Sequence, residues 1–173
     1  NRLDKDKLQA LNTRYIPNFK PDDDEGYITL TTHNYQADEI NDEKLDAIDS
    51  EILTFTAEVT GIFPENAYPT KEVLELKVGA QVMFVKNDPS PEKQYYNGKI
   101  GKIIDYDKNE GIKVKCDDEV INVTAVKWQN FEYNINEKTN EIEEKEIGSF
   151  TQIPLKTAWA ITIHKSQGLT FDK

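Results

Sequence analysis

The sequence predicts an α/β fold that is interrupted by an all-β module. The apolar residues follow a helical period over residues 34–48, and this period changes to two from Ile52 onward. Short strand-like segments separated by turn residues then recur between residues 71 and 150. A further apolar run after residue 151 indicates a return to the α/β layer. We therefore expect an α/β domain that carries an inserted β module.

The N-terminal third is predicted to be a connector followed by the first α/β elements. Residues 1–26 combine a short helix, which would carry Leu3, Leu8 and Leu11 on one side, with two prolines and an acidic run. Residues 27–70 then begin with a β-branched strand over 27–32, and Asn34 is the predicted N-cap of the next helix. The apolar face of that helix would comprise Ala37, Ile40, Leu45 and Ile48.

The segment 71–150 is predicted to form a small barrel or sandwich of short strands. The alternation of Leu53, Phe55, Ala57 and Val59 marks the start of strand patterning ahead of it, and Asn97-Gly98 is a turn signal within it. The polar stretch 134–148 is predicted to be a hairpin. Residues 151–173 are expected to re-enter the α/β domain and to form only part of it.

No metal site is predicted. "DYDKNEG" places Asp105, Asp107 and Asn109 at the spacing of a calcium loop, but Glu110 and Cys116 stand where that loop needs Gly and Glu. A hairpin turn is the better interpretation. The chain has two histidines and one cysteine, too few for a zinc cluster, and Asp117 and Asp118 are expected to raise the pKa of the Cys116 thiol.

Composition indicates a globular cytoplasmic protein. A single cysteine suits a reducing compartment, and neither a signal peptide nor a membrane-spanning run is evident, so no membrane partner is expected. The net charge of −11 argues against a simple nucleic-acid-binding domain. Segments 71–116 and 151–173 are nonetheless net positive, which is compatible either with ordinary surface variation or with contacts to phosphates.

The stretch "AWAITIHKSQGLTFD" is the strongest candidate for a functional segment. An apolar strand ends in Thr162, and His164, Lys165, Ser166 and Gln167 follow before Gly168. Hydroxyl, imidazole, ammonium and amide groups at a strand end suit phosphate binding in an open α/β sheet. A polar strand-to-helix turn with a structural histidine is the alternative.

This stretch resembles motif five of superfamily 1 DNA helicases, in the form found in PIF-type (superfamily 1B) enzymes. "LNTRYIPNF" with "YITLTTHNYQADEIN" resembles the entry into the second RecA-like domain and its motif four. "LELKVGAQVMFVKND" and "YYNGKIGKI" resemble the small Src-homology-type β-barrel inserted in that domain, and "QIPLKTAWAITIHKSQG" resembles the return to its sheet. The resemblance covers nearly the whole chain and implies a partial RecA-like domain interrupted by this barrel.

The resemblance implies that the chain is part of an ATP-dependent DNA helicase, acting in DNA repair or recombination with ATP and Mg²⁺. The first RecA-like domain would carry the phosphate loop, which this sequence lacks, so the chain alone should not hydrolyse ATP. Its partners would be that domain and single-stranded DNA. The implied DNA contacts are Thr162, His164, Thr32, His33, Asn34, Lys99 and Lys102. The implied nucleotide-cleft residues are Lys165, Ser166, Gln167 and Gly168.

Two features of the sequence limit which residue roles the resemblance implies. Motif four often contains an aromatic-arginine pair that contacts the nucleotide, whereas this sequence has Thr31-Thr32-His33-Asn34 there. Lys99 and Lys102 are also open to interpretation as ordinary solvated lysines. A non-motor nucleic-acid-binding or protein-interaction module built on the barrel is the alternative function.

Overall fold

The computed structural model describes residues 4–21, 26–135 and 141–168. Within these ranges the elements are α1 (Lys5–Asn12), β1 (Thr29–Thr31), α2 (Asn34–Asp46), β2 (Ile52–Thr56), β3 (Glu58–Gly61), a short 3₁₀ helix (Glu65–Ala67), β4 (Val73–Lys77), β5 (Gln81–Phe84), β6 (Ile100–Asp107), β7 (Gly111–Cys116), β8 (Glu119–Val123), β9 (Val126–Ile135), β10 (Ile142–Gln152), β11 (Leu155–Thr157), β12 (Ala160–Thr162) and α3 (Ile163–Ser166). The mixed α/β class that the sequence predicted is confirmed.

The α/β part consists of two parallel strands with one helix against them. β1 pairs in parallel with β12, so that Thr29 lies opposite Ala160 and Thr31 opposite Thr162. Helix α2 packs on β12 and has the predicted apolar face, with Ala37 buried. Asn34 is the first helical residue and not the N-cap; His33 holds the cap position, and its side chain makes no capping hydrogen bond. The predicted cap was therefore wrong by one residue.

The largest sheet lies in the β module and has the strand order β11-β5-β6-β7-β8. Its inward side chains form the main core, in which Phe84, Ile103 and Val114 have no exposed surface. The β6–β7 connection is the predicted hairpin turn, because Asp107 Oδ1 accepts hydrogen bonds from the amides of Asn109 and Glu110 at 2.7 and 3.0 Å. The Asp107 carboxylate thus bonds to the backbone of its own turn. Among the described residues, no group of three or more metal-ligating side chains occurs.

Two smaller sheets complete the module. β2 pairs with β4, and β3-β10-β9 form a three-stranded antiparallel sheet in which β9 and β10 make the predicted long hairpin; its tip, 136–140, lies outside the described residues. Gly61 and Gly148 lie opposite each other where β3 meets β10, too close for a Cβ on either. Hydrogen bonding does not join the described strands into a closed ring, so the predicted closed barrel is not confirmed.

Strand pairing also bears on the predicted division of the chain. β2 and β3 precede residue 70, yet they pair with β4 and β10, which follow it. The side chain of Gln152 strengthens this connection, since Nε2 donates to the carbonyls of Phe55 and Glu72 at 2.9 and 3.0 Å. The boundary at residue 70 remains a prediction, and the strands on its two sides share sheets.

The N-terminal helix exists as predicted, but its leucines do not join the core. Asp4 caps α1 by accepting a hydrogen bond from the amide of Lys7 at 2.8 Å. Leu8 and Leu11 are exposed, and Leu3 lies outside the described residues. In the described part of the chain, no helix is long and apolar enough to cross a membrane.

Cys116 lies at the end of β7 and is buried in the main core. Burial raises the pKa of its thiol to about 11, which Lys99 opposes and Asp117 reinforces. The predicted direction is correct, but desolvation contributes more to the shift than the neighbouring aspartate. This thiol has the properties of a structural residue.

Candidate nucleic-acid and nucleotide interface

The carboxyl ends of β1 and β12 lie side by side, and this arrangement defines the candidate site. The two strands are parallel, and the pairing ends with Thr31 opposite Thr162. The segments that leave them, 32–34 and 163–168, therefore start from the same edge of the sheet. The structure thus brings together two groups of predicted residues that are about 130 positions apart in the sequence. A hydrogen bond also joins the two strand ends, since the Thr31 hydroxyl donates to the Ile161 carbonyl at 3.4 Å.

On the β1 side, the exposed residues Thr32 and His33 lead into α2, which begins at the exposed Asn34. Thr32 Oγ1 lies 2.8 Å from His33 Nδ1 and donates to Gln36 Oε1 at 3.3 Å. The His33 ring also faces that of Tyr35, with centroids 5.6 Å apart. These contacts restrain the orientation of the imidazole at the surface.

On the β12 side, the predicted residues differ in accessibility. Thr162 is buried at the strand end, whereas His164, Lys165, Gln167 and Gly168 are exposed. The Ser166 hydroxyl is used within α3, since it donates to the Ile163 carbonyl at 2.7 Å. Gly168 has φ of 82°, a left-handed conformation that favours glycine over any other residue.

A buried asparagine of α2, which the sequence analysis missed, holds β12 in place. Asn41 Oδ1 accepts hydrogen bonds from the amides of Trp159 and Ala160, and Nδ2 donates to the Ala160 carbonyl, each at 2.9 Å. The amide thus completes the backbone hydrogen bonding of the strand that leads into the site. A signal was available, because Asn41 interrupts the apolar stripe of α2 four residues after Ala37.

A second missed residue connects the β module to the site. Gln81 begins β5, and its Nε2 donates to the carbonyls of Tyr27 and Ala158 at 3.0 and 2.9 Å. The backbone carbonyl of Gln81 accepts from the amide of Ala158 at 3.1 Å. One buried side chain therefore joins the segments before β1 and before β12 to the large sheet.

A cleft of about 560 Å³ opens between α2, the 65–75 segment and the β12–α3 edge. Asn34, Thr162 and Lys165 of the predicted site line it, together with Lys156 of β11, which was not predicted. Burial lowers the pKa of the Lys156 ammonium to about 8; the charge of Lys165 adds to this effect and that of Asp38 opposes it. The lining of this cleft thus combines lysines with carboxylates, which are those of Asp38, Asp42, Glu65, Glu72 and Glu75.

Lys99 and Lys102 lie elsewhere, immediately before β6 and within β6 of the large sheet respectively. The Lys99 amino group is mostly buried, donates to the Gln94 carbonyl at 2.9 Å and lies 3.6 Å from a carboxylate oxygen of Glu119. Lys102 is exposed. Neither lines the cleft, and their predicted DNA contacts remain predictions.

No protein-family model matches the sequence. The chain is 30% identical to the ATP-dependent DNA helicase Pif1 of Campylobacter jejuni over 87% of its own length and 36% of the relative's. The crystal structure of Bacteroides sp Pif1 in complex with ADP-AlF4 matches 99% of this chain and 38% of that chain, at 39% identity and a TM-score of 0.86. The chain belongs to the Pif1 helicase family. It spans about a third of the length of the curated relatives it matches.

The Pif1 relatives also show which ligands occur with this fold. Besides the ADP-AlF4 complex, the structure of Bacteroides Pif1 bound to ssDNA matches 99% of the chain at 39% identity, with a TM-score of 0.71. Both ligands that the resemblance implied, a nucleotide and single-stranded DNA, are therefore bound by Pif1 proteins with this fold. The non-motor alternative has no comparable support.

Proposed function

We propose that this chain is part of an ATP-dependent DNA helicase, in which it supplies part of the single-stranded DNA track and one wall of the ATP cleft. The observation that carries the proposal is the shared edge of β1 and β12, where the residues of two helicase-like motifs converge in a member of the Pif1 family. Such an edge is where open α/β sheets bind ligands.

The two sides of the edge have different proposed roles. Thr32, His33 and Asn34, with Thr162 and His164, would contact the DNA backbone or bases. Lys165, Ser166, Gln167 and Gly168 would lie against the nucleotide. The exposure of His164 and Lys165 and the ordered ring of His33 support this division. Because Thr162 is buried, its part would be to fix the strand end from which the others project.

ATP and Mg²⁺ are proposed as cofactors of the whole helicase. The residues of this chain do not by themselves fit a Mg²⁺–triphosphate site, because the sequence contains no G-x-x-x-x-G-K-[ST] and the described residues hold no cluster of metal ligands. The first RecA-like domain of the same protein would supply those groups. This chain would contribute polar side chains that meet the nucleotide when the two domains close.

The β module is proposed to be the Src-homology-type barrel of this helicase class, inserted into the second RecA-like domain. Its antiparallel strands and their common core support this assignment. Residues 1–26 would be the connector from the first RecA-like domain, and residues 27–70 and 151–173 would belong to the second RecA-like domain. We also propose an intracellular site of action in DNA repair or recombination.

The proposal is tested with His164→Ala in the full-length helicase that contains this chain. His164 is exposed, so folding should be retained, whereas DNA-stimulated ATP hydrolysis should fall by about tenfold, the effect of one strong hydrogen bond to DNA. Asn122→Ala, at an exposed position of β8, is the matched control and should leave the rate unchanged. A wild-type protein without DNA-stimulated hydrolysis would favour the non-motor alternative. Full stimulation in His164→Ala would contradict the role of α3.

A further inference from the structure

Lys156 differs from other lysines of similar burial in this chain. It is half-buried, yet its amino group makes no hydrogen bond or ion pair with any described residue. The half-buried Lys86, Lys99 and Lys113, and also the buried Lys77, each donate to a carbonyl or pair with a carboxylate. Removing an ammonium group from water without a partner is costly, and an anionic ligand beside it would offset this cost.

The position of Lys156 indicates where that anion would lie. Lys156 faces the cleft at the end that also holds Thr162 and Lys165, and the charge of Lys165 acts directly on it. Lys165 is exposed and likewise has no hydrogen-bond or ion-pair partner among the described residues. Two cations without partners therefore converge beside the shared edge of β1 and β12.

The carboxylates of the cleft do not neutralise this pair. Asp38 is the carboxylate that acts on Lys156, but its influence is smaller than that of Lys165. Asp42 is 3.6 Å from Lys71 and is thereby paired at another part of the cleft wall. Glu65, Glu72 and Glu75 also line the cleft, on the 65–75 segment, but Asp38 is the carboxylate that acts on Lys156. The positive charge of Lys156 and Lys165 is therefore only partly compensated.

We propose that Lys156 and Lys165 together bind a phosphate group at this end of the cleft. The inference rests on the proposed helicase function and adds Lys156, a residue to which the resemblance assigned no role, to its ligand-binding surface. A phosphate oxygen accepts charge-assisted hydrogen bonds from both ammonium groups, and each bond relieves the repulsion between them. The phosphate belongs either to the DNA backbone or to the nucleotide, and the experiment separates these sources.

The test uses the full-length helicase with Lys156→Gln, which removes the charge but keeps most of the side-chain volume. For a DNA phosphate, affinity for single-stranded DNA at low salt should fall by about tenfold, and the slope of log K against log salt should decrease by about one. For a nucleotide phosphate, KM for ATP should rise by about tenfold with the DNA slope unchanged. In both cases the thermal midpoint should stay level or increase, because an uncompensated charge is removed.

Two further variants are the controls. Lys156→Arg keeps the charge and should restore most of the lost affinity. Lys71→Gln removes a lysine of the same cleft that is already paired with Asp42, and it should change neither the slope nor KM. A folded Lys156→Gln enzyme with the wild-type slope and KM would overturn the phosphate site, and so would an equal loss in Lys71→Gln. If the wild-type enzyme does not bind single-stranded DNA or ATP, the proposed function itself fails.

Discussion

Several lysines of the β module are paired with carboxylates, whereas at the edge formed by β1, β12 and α3 Lys156 and Lys165 have no such partner among the described residues. In the module, Lys99 pairs with Glu119, and Lys113 lies 3.2 Å from Asp105. At the edge, neither Lys156 nor Lys165 has such a partner. Under the proposed function, the paired charges of the module stabilise its own fold, while the lysines of the edge serve a ligand. Substitutions in either the β module or the edge test this difference.

The largest loss of stability is expected from a substitution in the core of the β module. Phe150 is fully buried, and its ring packs 4.6 Å from that of Tyr68 and 6.0 Å from that of Trp128. Phe150→Ala should lower the free energy of unfolding by about 3–5 kcal/mol, because it leaves a cavity among these rings. Urea denaturation would measure this loss. Tyr133→Ala, at an exposed position of β9, should change it by less than about 0.5 kcal/mol.

A smaller and more local loss is expected at Asn41. Asn41→Leu leaves the amides of Trp159 and Ala160 and one carbonyl without partners, at a cost of about 2–3 kcal/mol. Amide hydrogen exchange should show reduced protection over residues 159–162, while β6–β8 remain protected.

The control for this variant is Asn122→Leu, since Asn122 is exposed on β8. It should leave exchange at β12 unchanged. Equal loss of protection in β12 and in β6–β8 after Asn41→Leu would mean that the edge and the module unfold as one unit, and the comparison drawn here would not hold.

The third substitution is expected to stabilise the protein instead of destabilising it. Lys156→Met should raise the free energy of unfolding at pH 7 by about 1–2 kcal/mol, because it removes an ammonium that burial and Lys165 destabilise and that Asp38 only partly compensates. The folded-state pKa of about 8 lies below the usual 10.5, so the unfolded chain binds more protons between these values. The stability of the wild type should therefore increase as the pH rises through this window, and its penalty should be fully present below it.

Urea unfolding of both proteins at pH 7 and pH 10 tests this expectation. The advantage of Lys156→Met should be largest at pH 7 and should shrink at pH 10. A variant that is stabilised and yet binds its ligand less well would show that Lys156 serves function at the expense of stability. An advantage that does not change with pH would trace to packing instead of charge.

Local patterns in the sequence were sufficient to predict most elements. The alternation of Leu53, Phe55, Ala57 and Val59 appears as half-buried positions between exposed ones, and the Asp107 turn forms as expected. These features depend on neighbours in the sequence, which a period or a turn signal describes directly. The parallel pairing of β1 with β12 was consistent with the motifs but is not encoded in either strand alone.

The residues that the sequence did not reveal act over long distances along the chain. Asn41, Gln81 and Gln152 are buried amides that bond backbone groups 119, 77 and 97 positions away. A pattern read along the chain cannot show which distant backbone groups lack a partner, and polar residues are usually taken as exposed. Lys156 was missed for the same reason, because only the fold shows that it has no hydrogen-bond or ion-pair partner among the described residues.

The smallest effect is expected at Lys99, where the two regions can be compared with the same substitution. The ammonium of Lys99 already interacts with Glu119 and with the Gln94 carbonyl, so a DNA phosphate would have to compete with both. Lys99→Gln in the full-length helicase should therefore reduce the salt slope of DNA binding by less than half of the reduction caused by Lys156→Gln. It should instead lower the free energy of unfolding by about 0.5–1 kcal/mol through the lost ion pair. Paired titrations over a salt series would rank the two variants. A larger slope change at Lys99 would place the DNA track on the β module, where ion pairing would then be exchanged for phosphate binding.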